Sequence, residues 1–255
     1  MATRSHIGFY DGHKMHFIYC HNDGYLSHTG VILYLYYKTP QRVKKLISLG
    51  DISAIGYNID APSHKGAETV SYCNSYACSH IKTSYVLSYC RDLKWQWKDA
   101  MPTTCSLSKY PYKDSEGISY SYYYDVTKKE WFLIYGCGDG KGVMLYSLRK
   151  LFTDKKFYDD YREWSGNSES FETITESINR FMEMYNINPV NFFNEHIRHR
   201  NIRDMELGYS MENGKRLYAV MQKVQGKLRR KVLFRSDNIG VCLEKIFNTA
   251  GISFY

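Results

Sequence analysis

The chain has 255 residues, 44% of them hydrophobic and 24% charged, with five prolines; this balance excludes a disordered or fibrous polypeptide and allows one large domain or two modest ones. A net charge of +8 admits anionic partners, while short apolar runs such as VILYLYY at 31–37 exclude a membrane-spanning helix. Seven cysteines, an odd number scattered through a chain large enough to fold without staples, predict reduced thiols and a soluble, unexported protein rather than a disulfide scaffold.

The first predicted element is a hairpin, HIGFY and KMHFIYCH around the turn Asp11-Gly12, whose second strand is apolar on both faces and therefore interior. After the loop IYCHNDGYLSHTG, residues 30–38 read as a buried helix. A second helix follows in PQRVKKLISLG, with Pro40 in its first turn, Val43, Leu46 and Ile47 on one face, and Gly50 at its stop. Between 52 and 115 the pattern is weak, with short elements at ETVSYC and SYVLSYC. A second hairpin, ISYSYYYDV and WFLIYG around TKKE, leads through GCGDGKG into VMLYSL.

From residue 154 the pattern turns helical: Phe171, Ile174, Ile178, Phe181, Met182 and Tyr185 form one stripe. Asn188-Pro189 opens another helix with Val190, Phe193 and Ile197 inward. Three strands follow, MELGYSM, KRLYAVMQKV and KLRRKVLFR, joined at ENG and QG, and then a helix from about 239 to 248. The expected class is α+β. Residues 1–150 form a module with an antiparallel sheet and packed helices; residues 151–255 form a helical segment, a three-stranded antiparallel sheet and a carboxy-terminal helix. Tyrosine, 25 residues in all, suits half-buried sheet faces and interaction surfaces.

The loop after the first hairpin holds Cys20, His21 and Asp23, the residue types of a nucleophile, a base and an orienting acid. Adjacent strand residues point to opposite faces, so Cys20 and His21 cannot pair with each other, and His6, His16 or His80 would have to serve as the base. Asp23-Gly24 alternatively makes a turn capped by Asp23, with His21, Asp23 and Tyr25 available for recognition. Cys73, Cys78, His80 and Cys90 lack paired zinc-knuckle spacing. GCGDGKG fits neither phosphate-binding glycine template, and Glu195, His196 and His199 do not form H-E-x-x-H. No metal and no cofactor is expected.

Cationic side chains supply the other candidates. Arg198, Arg200 and Arg203 fall on one basic helix. In the last strand Leu228, Val232 and Phe234 are expected to face the core, while Arg229, Lys231 and Arg235 project oppositely as a ribbon. Such a ribbon would meet an acidic protein surface or track phosphates; otherwise it is a solvated edge.

The motif M-A-T-R-S-x-I-G, then Y-C-H-W-D-G-Y, a glycine a few residues on, and L-G-D-[LI]-S is matched here by Met1 to Ser5, Ile7, Gly8, Tyr19 to His21, Asp23 to Tyr25, Gly30 and Leu49 to Ser53. Over these first 55 or so residues the chain resembles a family of small bacteriophage proteins; Asn22 departs from the family's tryptophan. The resemblance implies a phage origin and a life in the host bacterial cytoplasm, with no assigned reaction. Phage accessory proteins of this kind are often inhibitors of host immunity. The expectation is therefore a non-enzymatic protein that binds a host macromolecule, a defence component foremost, through His21, Asp23, Tyr25, Arg198, Arg203, Arg229, Lys231 and Arg235. The alternatives are a hydrolase of a nucleotide signal or other small substrate, built on Cys20, His21 and Asp23, and a basic nucleic-acid-binding protein.

Overall fold

The computed structural model describes residues 3–60, 85–110, 117–136, 143–184, 190, 194, 197, 202, 204–213, 215–224, 230–237 and 239–250. The chain divides into two compact units, the first holding Met1–Phe152 and Asp160–Ile178, the second Thr153–Asp159 and Asn179–Tyr255. The class is α+β, with a large sheet in the first unit and a three-stranded antiparallel sheet followed by a helix in the second.

In the first unit, β1 (Arg4–Tyr10) and β2 (Met15–Cys20) form the expected hairpin. Its turn closes because Asp11 Oδ1 accepts the amides of His13 and Lys14, both at 2.8 Å, while Gly12 takes the left-handed φ of +100° that side chains disfavour. A π-helical turn (Leu26–Gly30) leads into α1 (Val31–Tyr36), and α2 (Pro40–Ile47) follows, its first turn capped by Thr39, whose Oγ1 accepts the Arg42 amide. Next come β3 (Ile52–Ala54), β4 (Leu87–Ser88), α3 (Trp97–Ala100) and β5 (Thr103–Cys105). The segment ETVSYC lies outside the described residues, as does Tyr185.

The second hairpin, β6 (Ile118–Asp125) and β7 (Glu130–Gly136), is antiparallel as its sequence predicts, and β8 (Val143–Ser147) extends it. The sheet order is β4-β3-β2-β1-β6-β7-β8, with β5 also on β2. Two pairings are parallel, β1 with β6 and β2 with β3, so this sheet is mixed where hairpins alone suggested an antiparallel one. A long crossover sets β6 beside β1 in the same direction, and local pattern carries no information about that pairing. The rest of GCGDGKG beyond Gly136 lies outside the described residues.

One sheet face is covered by the apolar side of α1 and α2, where Val31, Ile32, Leu33, Val43 and Leu46 are all fully buried. Each such side chain contributes about 1.5–3 kcal/mol relative to leaving it exposed. The tyrosines of β6 meet this layer at alternate positions. Tyr122 donates its hydroxyl to the Gly24 carbonyl at 2.9 Å and Tyr124 donates to Lys38 O at 3.0 Å; the neighbouring Trp131 donates Nε1–H to Tyr37 O at 2.7 Å. Tyrosine thus buries a ring here and also satisfies a carbonyl, which phenylalanine could not do. On the opposite face Met15, Phe17, Tyr110, Tyr123 and Ile134 make a smaller core.

Helices α4 (Leu148–Thr153), α5 (Lys155–Ser165) and α6 (Phe171–Met184) follow. Ile174, Ile178, Phe181 and Met182 of the predicted stripe are buried. In the second unit β9 (Met205–Glu212), β10 (Lys215–Lys223) and β11 (Arg230–Ser236) pair in the order β11-β10-β9, and α7 (Ile239–Thr249) packs on them. Ile239, Cys242, Leu243 and Ile246 recur at helical spacing and bury against Leu207 and Val220. Val190 and Ile197 join this core, and the Asn194 side chain bonds both backbone groups of Leu207, donating to its carbonyl and accepting from its amide, as a strand would on the β9 edge. Phe193 and the QG turn lie outside the described residues.

Candidate functional site

The loop that carries the reactive-looking residues is held from every side. His21 N and Asn22 N donate to Ile52 O and Ser53 O at 3.1 and 3.0 Å, and the Asn22 amide donates to Ser53 as well. Asp23 takes a left-handed φ of 56°, and its carbonyl accepts both the amide and the hydroxyl of Thr29. Gly24 N donates to Thr3 O at 2.8 Å; a Cβ there would lie 2.8 Å from Ser5 Cβ and 2.9 Å from Thr3 O, so the close approach to β1 admits only glycine. The amides of Leu26 and Ser27 donate to the two carboxylate oxygens of Glu169 at 3.0 and 3.1 Å. This anion caps the start of the π-helical turn from 143 and 142 positions away.

Among the described residues the chemistry expected of a cysteine nucleophile has no base. Cys20 is fully buried, its Sγ donates to Asn22 O at 3.5 Å, and burial pushes its thiol up to about 12, far from the thiolate that attacks. His21 lies on the opposite side of the strand, where its Nδ1 shares a 2.8 Å hydrogen bond with the Tyr19 hydroxyl. Burial, with the Arg4 charge second, holds the His21 imidazole below its ordinary value and so neutral. Asp23 Oδ1 accepts from the Tyr25 hydroxyl at 3.3 Å, and the Tyr25 ring meets His28 edge-on.

Neither His16 nor His6 reaches Cys20. His16 sits four positions back on the same strand, about 13 Å away at strand rise, between Asp11 Oδ2 at 2.9 Å and Thr104 Oγ1 at 3.2 Å. His6 packs its ring against Phe17 and Tyr110 on the other sheet face, and His80 lies outside the described residues. The structure therefore brings His21, Asp23 and Tyr25 together as one partly exposed loop surface with Cys20 sealed beneath it.

The cationic ribbon requires a correction. Val220 pairs with Phe234 but Met221 pairs with Val232, so Leu233 is an extra residue, a β-bulge. The bulge reverses the alternation. Lys231, opposite Gln222, falls on the same sheet face as Val220 and Phe234; Arg235, opposite Ala219, falls on the other face with Arg230 and Val232. Val232, expected inside, is 42% exposed, and Leu233 packs on the core instead. The cations left on the outer face are neutralised by Arg230–Glu206 at 2.7 Å and Arg235–Glu212 at 3.3 Å. Arg198, Arg203, Arg229 and Leu228 lie outside the described residues, as do Arg200, Glu195, His196, His199, Cys73 and Cys78; Cys90 is a free, partly exposed thiol.

A cleft that sequence reading missed lies wholly within the second unit. It has a volume of about 380 Å³ and is lined by Asn179, Met182 and Glu183 of α6, Arg216 and Tyr218 of β10, and Asp237 and Ile239 at the entry to α7. The spacings explain the convergence: i, i+3, i+4 is one side of a helix, and i, i+2 is one face of a strand. Met182 and Ile239 are buried and form an apolar floor. Among the described residues the side chains of Asn179, Glu183 and Asp237 make no hydrogen bond or ion pair, and the Arg216 guanidinium lies over the Tyr209 ring at 5.2 Å rather than on a carboxylate. Beside it Tyr209 and Met211 are 45% and 60% exposed. Of the α6 residues here the predicted stripe included Met182 alone, and no local signal joins α6 to residues 216 and 237.

No family model, no curated protein and no solved structure matches the chain. No described helix is long and apolar enough to cross a membrane.

Proposed function

We propose that the chain is a bacteriophage accessory protein that binds and inhibits a host protein, a component of antiviral defence, in the cytoplasm of the infected cell, and that it acts by occupancy rather than turnover. The observation that carries the reading is the second unit's cleft with its Tyr209, Met211 and Arg216 border. An exposed tyrosine and a half-buried arginine beside a concave site are the residue types and the shape on which binding energy concentrates. The sealed Cys20 thiol and the His21–Tyr19 bond weigh against a hydrolase. The paired arginines of β11 weigh against phosphate tracking. The phage origin rests on the amino-terminal resemblance.

The test is capture by the tagged full chain from host lysate. One stoichiometric partner is expected, retained by Cys20→Ala and by His21→Ala but lost with Tyr209→Ala combined with Met211→Glu. Capture that survives the double substitution, or turnover of a nucleotide that depends on Cys20, overturns the proposal.

A further inference from the structure

The cleft in the second unit holds polar groups that have not satisfied one another. Two carboxylates, Glu183 and Asp237, and one amide, Asn179, have no partner among the described residues, although a guanidinium lines the same cavity. Arg216 is turned onto Tyr209, so it forms no ion pair with either acid. The lining therefore carries one more negative than positive group, on a chain whose net charge is +8. Below these groups Met182, Ile239 and the Tyr218 ring provide an apolar floor.

We infer that this cleft takes an arginine side chain presented by the protein partner, with its aliphatic stem over Met182, Tyr218 and Ile239 and its guanidinium between Glu183 and Asp237. A guanidinium offers five N–H donors in a planar fork, and two carboxylates and an amide oxygen are the acceptors that match it. A long stem that buries while its charged head stays at the rim suits a floor of this kind. An anionic ligand would find one cation, already stacked on an aromatic ring, and two carboxylates opposing it. Arg216 occupies the flank, where it meets an acidic neighbour of the bound arginine rather than the arginine itself. This inference deepens the proposed function and rests on it for the identity of the ligand as part of a protein.

The experiment uses the full chain labelled with ¹³C at its methionine methyl groups, so that Met182 reports from the cleft floor. Acetyl-Gly-Arg-Gly-amide at millimolar concentration is expected to shift the Met182 signal saturably. The same peptide with citrulline, which keeps the shape and loses the charge, is expected to bind about tenfold or more weakly. Glu183→Gln with Asp237→Asn, both at exposed positions, is expected to abolish the arginine preference, whereas Arg235→Ala, on the outer face of the sheet, leaves it intact. Equal binding of the citrulline peptide, a preference that survives Glu183→Gln with Asp237→Asn, or saturable binding of a glutamate peptide that Arg216→Ala removes, each overturns the inference. Lysate capture that persists while the arginine peptide fails refutes only the inference; peptide binding without any captured partner refutes only the broader function.

Discussion

The loop at 20–30 and the cleft around Arg216 both gather charged and polar side chains, but they treat them in opposite ways. In the loop, amides are tied to Ile52, Ser53, Thr3 and Glu169, and the side chains of Asp23 and His21 are bonded to neighbouring tyrosines. In the cleft, the side chains of Glu183, Asp237 and Asn179 have no partner among the described residues. A cluster whose hydrogen-bonding capacity is spent internally fixes shape, while one whose capacity is open can bind. Proximity of reactive types along a sequence does not distinguish the two. The distribution of partners does.

The comparison can be broken most directly at Gly24. Gly24→Ala drives a Cβ into Ser5 and the Thr3 carbonyl, and urea unfolding is expected to show a loss of about 3 kcal/mol. Glu169→Ala strands the amides of Leu26 and Ser27, and the same titration is expected to show about 2 kcal/mol. Stability unchanged by both would mean that the loop is not the tied structure described. Tyr122→Phe removes one donor from the Gly24 carbonyl and should cost about 1 kcal/mol.

At the opposite extreme, Arg235→Ala removes a half-exposed ion pair with Glu212, so calorimetry should show a change below about 0.5 kcal/mol. A larger loss would place Arg235 in a buried role that the bulge geometry denies. The smallest effect is one of pH. The folded state holds His21 below its ordinary value of 6.5, so the neutral imidazole is the form the fold favours, and its contribution is intact above that value and fades as the pH falls below it. His21→Gln is expected to flatten this weak acid sensitivity between pH 7 and 5, read as the difference in urea midpoint across that range.

Much of the element order was legible because it rests on near neighbours. Asp11-Gly12 closes its hairpin through bonds spanning two and three residues, Pro40 starts α2 with Thr39 as cap, and the apolar spacing from Ile174 to Met182 places one helix face inward. The opposition of Cys20 and His21 was equally local, since it follows from strand alternation alone. The ribbon of Lys231 and Arg235 failed for the converse reason. A single inserted residue, Leu233, reverses the faces, and a bulge is a property of two strands in register, with no mark on either strand alone.

The sequence by itself determined the α+β class, both hairpins, the amphipathic helices and the turn at Asp11-Gly12, because alternation, capping and left-handed turns are decided within a few residues. Only the tertiary structure decided that β1 lies parallel to β6, that Glu169 caps a turn more than a hundred residues earlier, that Lys231 and Arg235 part company, and that Arg216 and Asp237 share a cleft with Glu183. Those relations join groups far apart along the chain, and their energies exist only once the core has brought the elements together.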